Sequence, residues 1–71
     1  MSFADRLRAL RAERSLTQKD VYTAINVSPI VYQRYEYGHS PSYEKLIALA
    51  DYFDVSLDYL VGRTDKPEVN R

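Results

Sequence analysis

The chain has 71 residues, with ten Lys and Arg against ten Asp and Glu, one His, no Cys and no Trp. This length holds a single domain whose modest core would gain from a partner surface, and the lack of cysteine excludes a disulfide framework, a thiolate metal site and a cysteine nucleophile. The longest apolar run, Leu46-Ile47-Ala48-Leu49-Ala50, is far short of the roughly 20 residues that span a bilayer, and Asp5, Arg6 and Arg8 stand where a secretion signal would be apolar. A reducing, cytoplasmic setting without membrane attachment is expected. The zero net charge hides a polarity: residues 1–38 carry +2 and residues 39–71 carry −2, which suits the N-terminal half to a polyanion.

Capping residues followed by apolar residues at helical spacing predict five short helices. Ser2 with Asp5 three residues later has the form of a capping box, and Phe3, Leu7 and Leu10 carry helix one to about Arg14. Its arginines, Arg6, Arg8, Arg11 and Arg14, read as a solvated outer face. Thr17 and Asp20 repeat the signature, and Val21, Ala24 and Ile25 form the stripe of helix two, about Thr17 to Ile25. Asn26 suits a left-handed turn residue, Val27 plugs the core, and Ser28-Pro29 supplies an N-cap and a proline at the first helical position. Helix three runs from Pro29 to about Tyr37, and Gly38 terminates it. After His39-Ser40-Pro41, Ser42 caps helix four, whose Tyr43, Leu46, Ile47, Ala50 and Phe53 predict the best core stripe. Ser56 caps a fifth helix with Leu57, Leu60 and Val61, ending at Gly62. Residues 1–62 therefore read as an all-α domain, a compact five-helix bundle, and residues 63–71 as a flexible polar tail with nothing to pack against.

Helices two and three, joined by Asn26-Val27-Ser28, make a helix-turn-helix unit over about residues 17–37. The pieces Leu16-Thr17-Gln18, Arg34-Tyr35-Glu36 with Gly38, Pro41-Ser42, and Val55-Ser56-Leu57-Asp58-Tyr59-Leu60 keep a mutual spacing that resembles the XRE family of lambda-repressor-like helix-turn-helix domains, from about Phe3 to Thr64. The resemblance implies a lambda-repressor-like fold and sequence-specific binding of double-stranded DNA, usually as a two-fold homodimer on a palindromic operator. It implies transcriptional regulation, here as a repressor. By position, Gln18 would clasp a phosphate at the start of helix two, and Pro29, Ile30, Gln33 and Arg34 would face outward from the recognition helix. Gln33 has the donor and acceptor for adenine and Arg34 those for guanine, each such pair contributing about 1–3 kcal/mol of discrimination. Thr17, Lys19, Ser28, Tyr37, His39, Ser40 and Tyr43 would flank the groove and touch the DNA backbone. Tyr52, Leu57, Tyr59 and Val61 are the expected dimer contacts at the C-terminal helix.

The chain also departs from the family's pattern. Pro29, Ile30 and Val31 stand at the head of the recognition helix in place of polar residues, where they can meet only thymine methyls. Tyr22 occupies a close helix crossing, and Tyr32 takes a position often held by Ile or Val, which predicts a core ring with its hydroxyl at the surface. The resemblance also implies that Glu36 braces the turn, and an arginine of helix one, Arg11 or Arg6, is expected to pair with it. A second reading follows from the neutral charge and the apolar helix head: a protein-interaction module, antirepressor-like or antitoxin-like, with Ile30, Val31 and Tyr37 as its patch. The plainer alternatives are a solvated amide at Gln18 and Gln33 and a surface charge at Arg34. No enzyme is expected, because the one histidine, His39, lies in a turn of a bundle too small for a deep pocket. No cofactor, metal or small-molecule substrate is expected either, and Asp51, Asp54 and Asp58 read as a solvated or capping acidic face.

Overall fold

A helix begins where something replaces the carbonyl partners its first N–H groups lack. In the computed structural model, which describes residues 1–69, that something is a hydroxyl each time. Ser2, Thr17, Ser28, Ser42 and Ser56 have extended backbone, and each side chain accepts a hydrogen bond from the N–H three residues on. Such a cap contributes about 1 kcal/mol. The helices that follow are α1 (Phe3–Glu13), α2 (Gln18–Ala24), α3 (Pro29–Glu36), α4 (Tyr43–Phe53) and α5 (Leu57–Leu60), with no strand among the described residues. They agree with the expected spans to within a residue or two at the ends. Asp5 and Asp20 complete capping boxes, and their hydrogen bonds with Ser2 and Thr17 hold both carboxyls below the usual range.

The core draws on every helix. Leu7 and Leu10 of α1, Val21 of α2, Tyr32 of α3, Leu49 and Phe53 of α4 and Leu60 of α5 are all sealed from solvent. Helix α1 packs on both α3 and α5, while α2 lies against α3. Two expectations are corrected here. Tyr43, assigned to the core stripe, is exposed, because as the first residue of α4 it lies beyond the core's edge; Leu49 is buried in its place. The Tyr32 hydroxyl does not reach the surface but stays inside the protein, since its ring is the centre of an aromatic group with Tyr22 and Tyr35, each 6.3 Å away.

The tail does find bonding partners on the bundle, as far as Pro67. The Arg63 N–H donates to the Asp58 carbonyl at 2.8 Å, and the Ser56 N–H donates to the Pro67 carbonyl at 3.0 Å. Arg6, buried and lying 3.8 Å over the Tyr59 ring, donates to the Thr64 carbonyl and to Asp65, both at 3.3 Å. Backbone carbonyls that water would otherwise hold thus satisfy donors of the bundle. The expectation of flexibility at residues 70 and 71 lies outside the described residues. Gly62 makes the junction possible: a Cβ there would lie 2.0 Å from the Met1 carbonyl oxygen, and its φ of +85° is one that side chains rarely adopt. Among the described residues no helix is long and apolar enough to cross a membrane.

Candidate nucleic-acid interface

The turn between α2 and α3 is closed by local bonds. Asn26 takes a φ of 58°, as a left-handed turn residue should, and the Val27 N–H donates to the Tyr22 carbonyl at 3.0 Å. Lys45 of α4 reaches across to donate to the Ile25 carbonyl at 2.8 Å, filling an acceptor that the end of α2 leaves open.

Behind the turn lies one buried carboxylate. Glu36 accepts two hydrogen bonds from Arg11, Nε to Oε2 at 2.8 Å and Nη2 to Oε1 at 3.2 Å, and a third from Gln18 Nε2 to Oε1 at 3.1 Å. The expected brace is therefore present, with Arg11 rather than Arg6 as the partner. Burial opposes ionisation of Glu36, but the bonds from Arg11 and Gln18, with the Tyr32 hydroxyl beside them, outweigh it and keep its carboxyl below the ordinary range. The Tyr32 hydroxyl faces this pair without a hydrogen bond of regular geometry, and burial pushes its titration strongly upward. Because Arg11 also donates to the Leu16 carbonyl at 3.2 Å, one guanidinium ties α1 to the starts of α2 and to the end of α3.

The outward face carries the predicted contacts. Ile30 is 65% exposed and Tyr37 85%, and Pro29, Gln33, Arg34, Lys19, His39, Ser40 and Tyr43 are exposed as well. Thr17 and Ser28 are also on the surface, and although each oxygen accepts one cap bond, its O–H remains to donate outward. Gln18 is half-buried, with its amide nitrogen already engaged by Glu36. It shares a cavity of about 350 Å³ with Arg8, Gln33, Glu36 and Tyr37, which brings three predicted residues together around one that was assigned elsewhere.

That residue is Arg8. The α1 arginines are not the uniform solvated face expected: Arg6 is buried, Arg11 is paired, Arg14 lies 5.2 Å over the Phe53 ring, and Arg8 donates to the Glu36 carbonyl and, at 2.6 Å, to Asp5. A signal was present, since Arg8 precedes Arg11 by three positions and so shares the face that turns toward α3. Of the expected dimer contacts, Tyr52 and Leu57 are exposed, whereas Val61 is half-buried and Tyr59 is half-covered beneath Arg6. Leu57 edges a second cavity, of about 540 Å³, with Ile47, Ala50, Val55 and Val69.

Comparison with known proteins bears on the same segment. Residues 7–60 match the helix-turn-helix family. The chain is 37% identical over 67 residues to an uncharacterized HTH-type transcriptional regulator, YobD, of Bacillus subtilis, covering 93% of this chain and 60% of that protein. It is 36% identical over 64 residues to the cryptic phage CTXphi transcriptional repressor RstR of Vibrio cholerae, covering 89% of this chain and 58% of the repressor. A crystal structure of a transcriptional regulator from Listeria innocua superposes with a TM-score of 0.81 at 35% identity, over 99% of this chain and 62% of that one. The chain thus spans about three fifths of the length of these relatives.

Proposed function

The chain belongs to the helix-turn-helix family, and from that premise we propose that it binds duplex DNA sequence-specifically as a two-fold dimer, with α3 in the major groove, and represses transcription. The observation that carries this reading is the division of α3 into two faces. Tyr32, Tyr35 and Glu36 are buried, while Gln33 and Arg34 stand free beside the exposed starts of α2 and α3. A helix anchored along one side and polar on the other can enter a groove without disturbing the core. Arg34 reads guanine and Gln33 adenine, Ile30 meets a thymine methyl, and Gln18, Lys19, Thr17, Ser28, Pro29, Tyr37, His39, Ser40 and Tyr43 line the path of the backbones. Repression is the activity named for the Vibrio relative, and the dimer forms through Tyr52 and Leu57 with Tyr59 and Val61 at its edge.

Selection of the purified protein against a randomised duplex pool, sequenced at two salt concentrations, tests the reading. Enrichment of a palindrome with half-sites about 34 Å apart, and a steep fall in affinity with salt, is the expected result. The Gln18→Ala, Arg34→Ala double variant should lose that enrichment while staying folded; an unchanged affinity would sink the site assignment. The exposure of Ile30 and Tyr37 favours the protein-interaction reading, although Val31, the third member of that patch, packs against the core. A pool without enrichment would select it.

A further inference from the structure

The cavity between α1, α2 and α3 has in its wall a cation, Arg8, that the family reading leaves unused. Its walls are Arg8, Gln18, Gln33, Glu36 and Tyr37, so a guanidinium, two amides and a phenol converge on about 350 Å³ of open space. The acid in the wall is already answered, because Glu36 is bonded to Arg11 and Gln18. With that pair neutral as a unit, Arg8 is the further cation in the cavity's wall, held at 2.6 Å by Asp5 on the same helix. Arg8 itself is nearly half exposed, and two of its five N–H donors are engaged, one by the Glu36 carbonyl and one by Asp5. The Asp5 contact is a surface pair between groups that water also solvates, and exposed pairs of this kind contribute little and exchange readily.

We infer that this cavity is a phosphate subsite and that Arg8 is its cation: a DNA phosphodiester oxygen seats between Arg8 and Gln18, beside the Gln33 that reads a base, with Asp5 giving up its hold on Arg8 as the anion arrives. The inference rests on the duplex-binding reading and adds a contact from outside the helix-turn-helix itself. A guanidinium is the fitting group, since it offers two parallel donors to two phosphate oxygens while a third stays on the Glu36 carbonyl. In this arrangement one residue holds the end of the recognition helix and the DNA strand beside it, so α1 sets the depth at which α3 sits.

Phosphate contacts are independent of sequence, so any duplex serves for the test. Affinity for a random-sequence duplex is measured against salt for the whole chain and for Arg8→Gln, Arg8→Lys and Arg34→Ala. Arg8→Gln removes the charge and leaves a shorter polar side chain; Arg8→Lys keeps the charge. The expected result is that Arg8→Gln makes the log–log salt slope shallower by about 1 and weakens binding roughly fivefold to tenfold near 0.1 M salt. Arg8→Lys should restore the slope, and thermal unfolding of both variants should match the parent, which separates charge from a merely structural role. An Arg8→Gln protein with parental slope, in a series where Arg34→Ala is weakened, would overturn the subsite and leave the duplex reading standing. A parent chain without salt-dependent duplex binding would overturn both. Inorganic phosphate, titrated while the Gln18 side-chain amide signals are followed, distinguishes the source: shifts at millimolar phosphate without duplex binding would make this a free-anion site and overturn its assignment to DNA.

Discussion

The two ends of α1 hold arginine in opposite ways. Near its C-terminal end Arg11 meets a carboxylate whose side chain is only 6% exposed, and the two complete each other's hydrogen bonding. Near its N-terminal end Arg6 is as deeply buried, yet its acidic partner Asp65 is fully exposed and its Nε has no partner. Arg6 acts chiefly through its stem and its flat face on Tyr59, and Arg11 through charge. The comparison separates an end whose neighbours keep free outer faces from one that is closed over by the tail. At the Glu36 end, polar groups satisfied inside leave α2 and α3 fixed with their other faces free for a ligand. At the Tyr59 end, the polar groups turn inward to hold the chain's own tail.

Removing each acid partner or its arginine tests that contrast most strongly. Glu36→Ala leaves Arg11 without its partner and Gln18 without its acceptor, and should lower stability by about 3 kcal/mol in chemical or thermal unfolding. Arg6→Met keeps the stem, frees the exposed Asp65 and the carbonyl of half-buried Thr64, and removes an orphaned donor, so it should cost about 1 kcal/mol. Equal losses would break the comparison. The two glycines sharpen it next: Gly62→Ala, which must displace the Met1 backbone, should cost about 2 kcal/mol or more, and Gly38→Ala, with φ of +111° but open space around it, about 1 kcal/mol.

Acid titration gives a smaller, signed effect. Glu36 titrates below its ordinary value of 4.5 in the folded protein, so its stabilisation is complete above that pH and is lost as pH falls through the folded value. Stability of the parent should therefore decline in that window more steeply than that of Glu36→Gln, which starts lower and lacks the group. Parallel curves would show that the capping acids Asp5 and Asp20 carry the acid sensitivity instead. The smallest change in stability belongs to Arg34→Ala on the free face, within about 0.5 kcal/mol, although it should weaken specific DNA binding by about 1–3 kcal/mol.

Much of this was legible in the chain itself. The caps at Ser2, Thr17, Ser28, Ser42 and Ser56 were each readable, because a hydroxyl followed by apolar spacing is a local signal that the backbone obeys wherever it lies. The Glu36 brace was readable as a pairing but not as a choice between Arg11 and Arg6, since both sit on α1 and only its crossing over α3 decides which one arrives. Tyr43 misled because a helical stripe gives direction and not depth: it shares the apolar face of α4 but begins that helix past the core's rim. The tail misled because its bonds to Arg6 and Ser56 join residues about 58 and 11 positions apart, and composition holds no record of such a meeting.

The sequence by itself determined the five helices, their starts and the turn at Asn26, because these follow from capping, periodicity and backbone preference within a few residues, while the outward residues of α3 came from the resemblance to the family. Only the tertiary structure decided the roles of the four α1 arginines, which share one helix and one chemistry yet end on a tyrosine, a backbone carbonyl, a carboxylate and a phenylalanine. The reason is physical: a cation's free energy depends on the groups that surround it, and those groups come from α3, α4, α5 and the tail, brought together when the core closes.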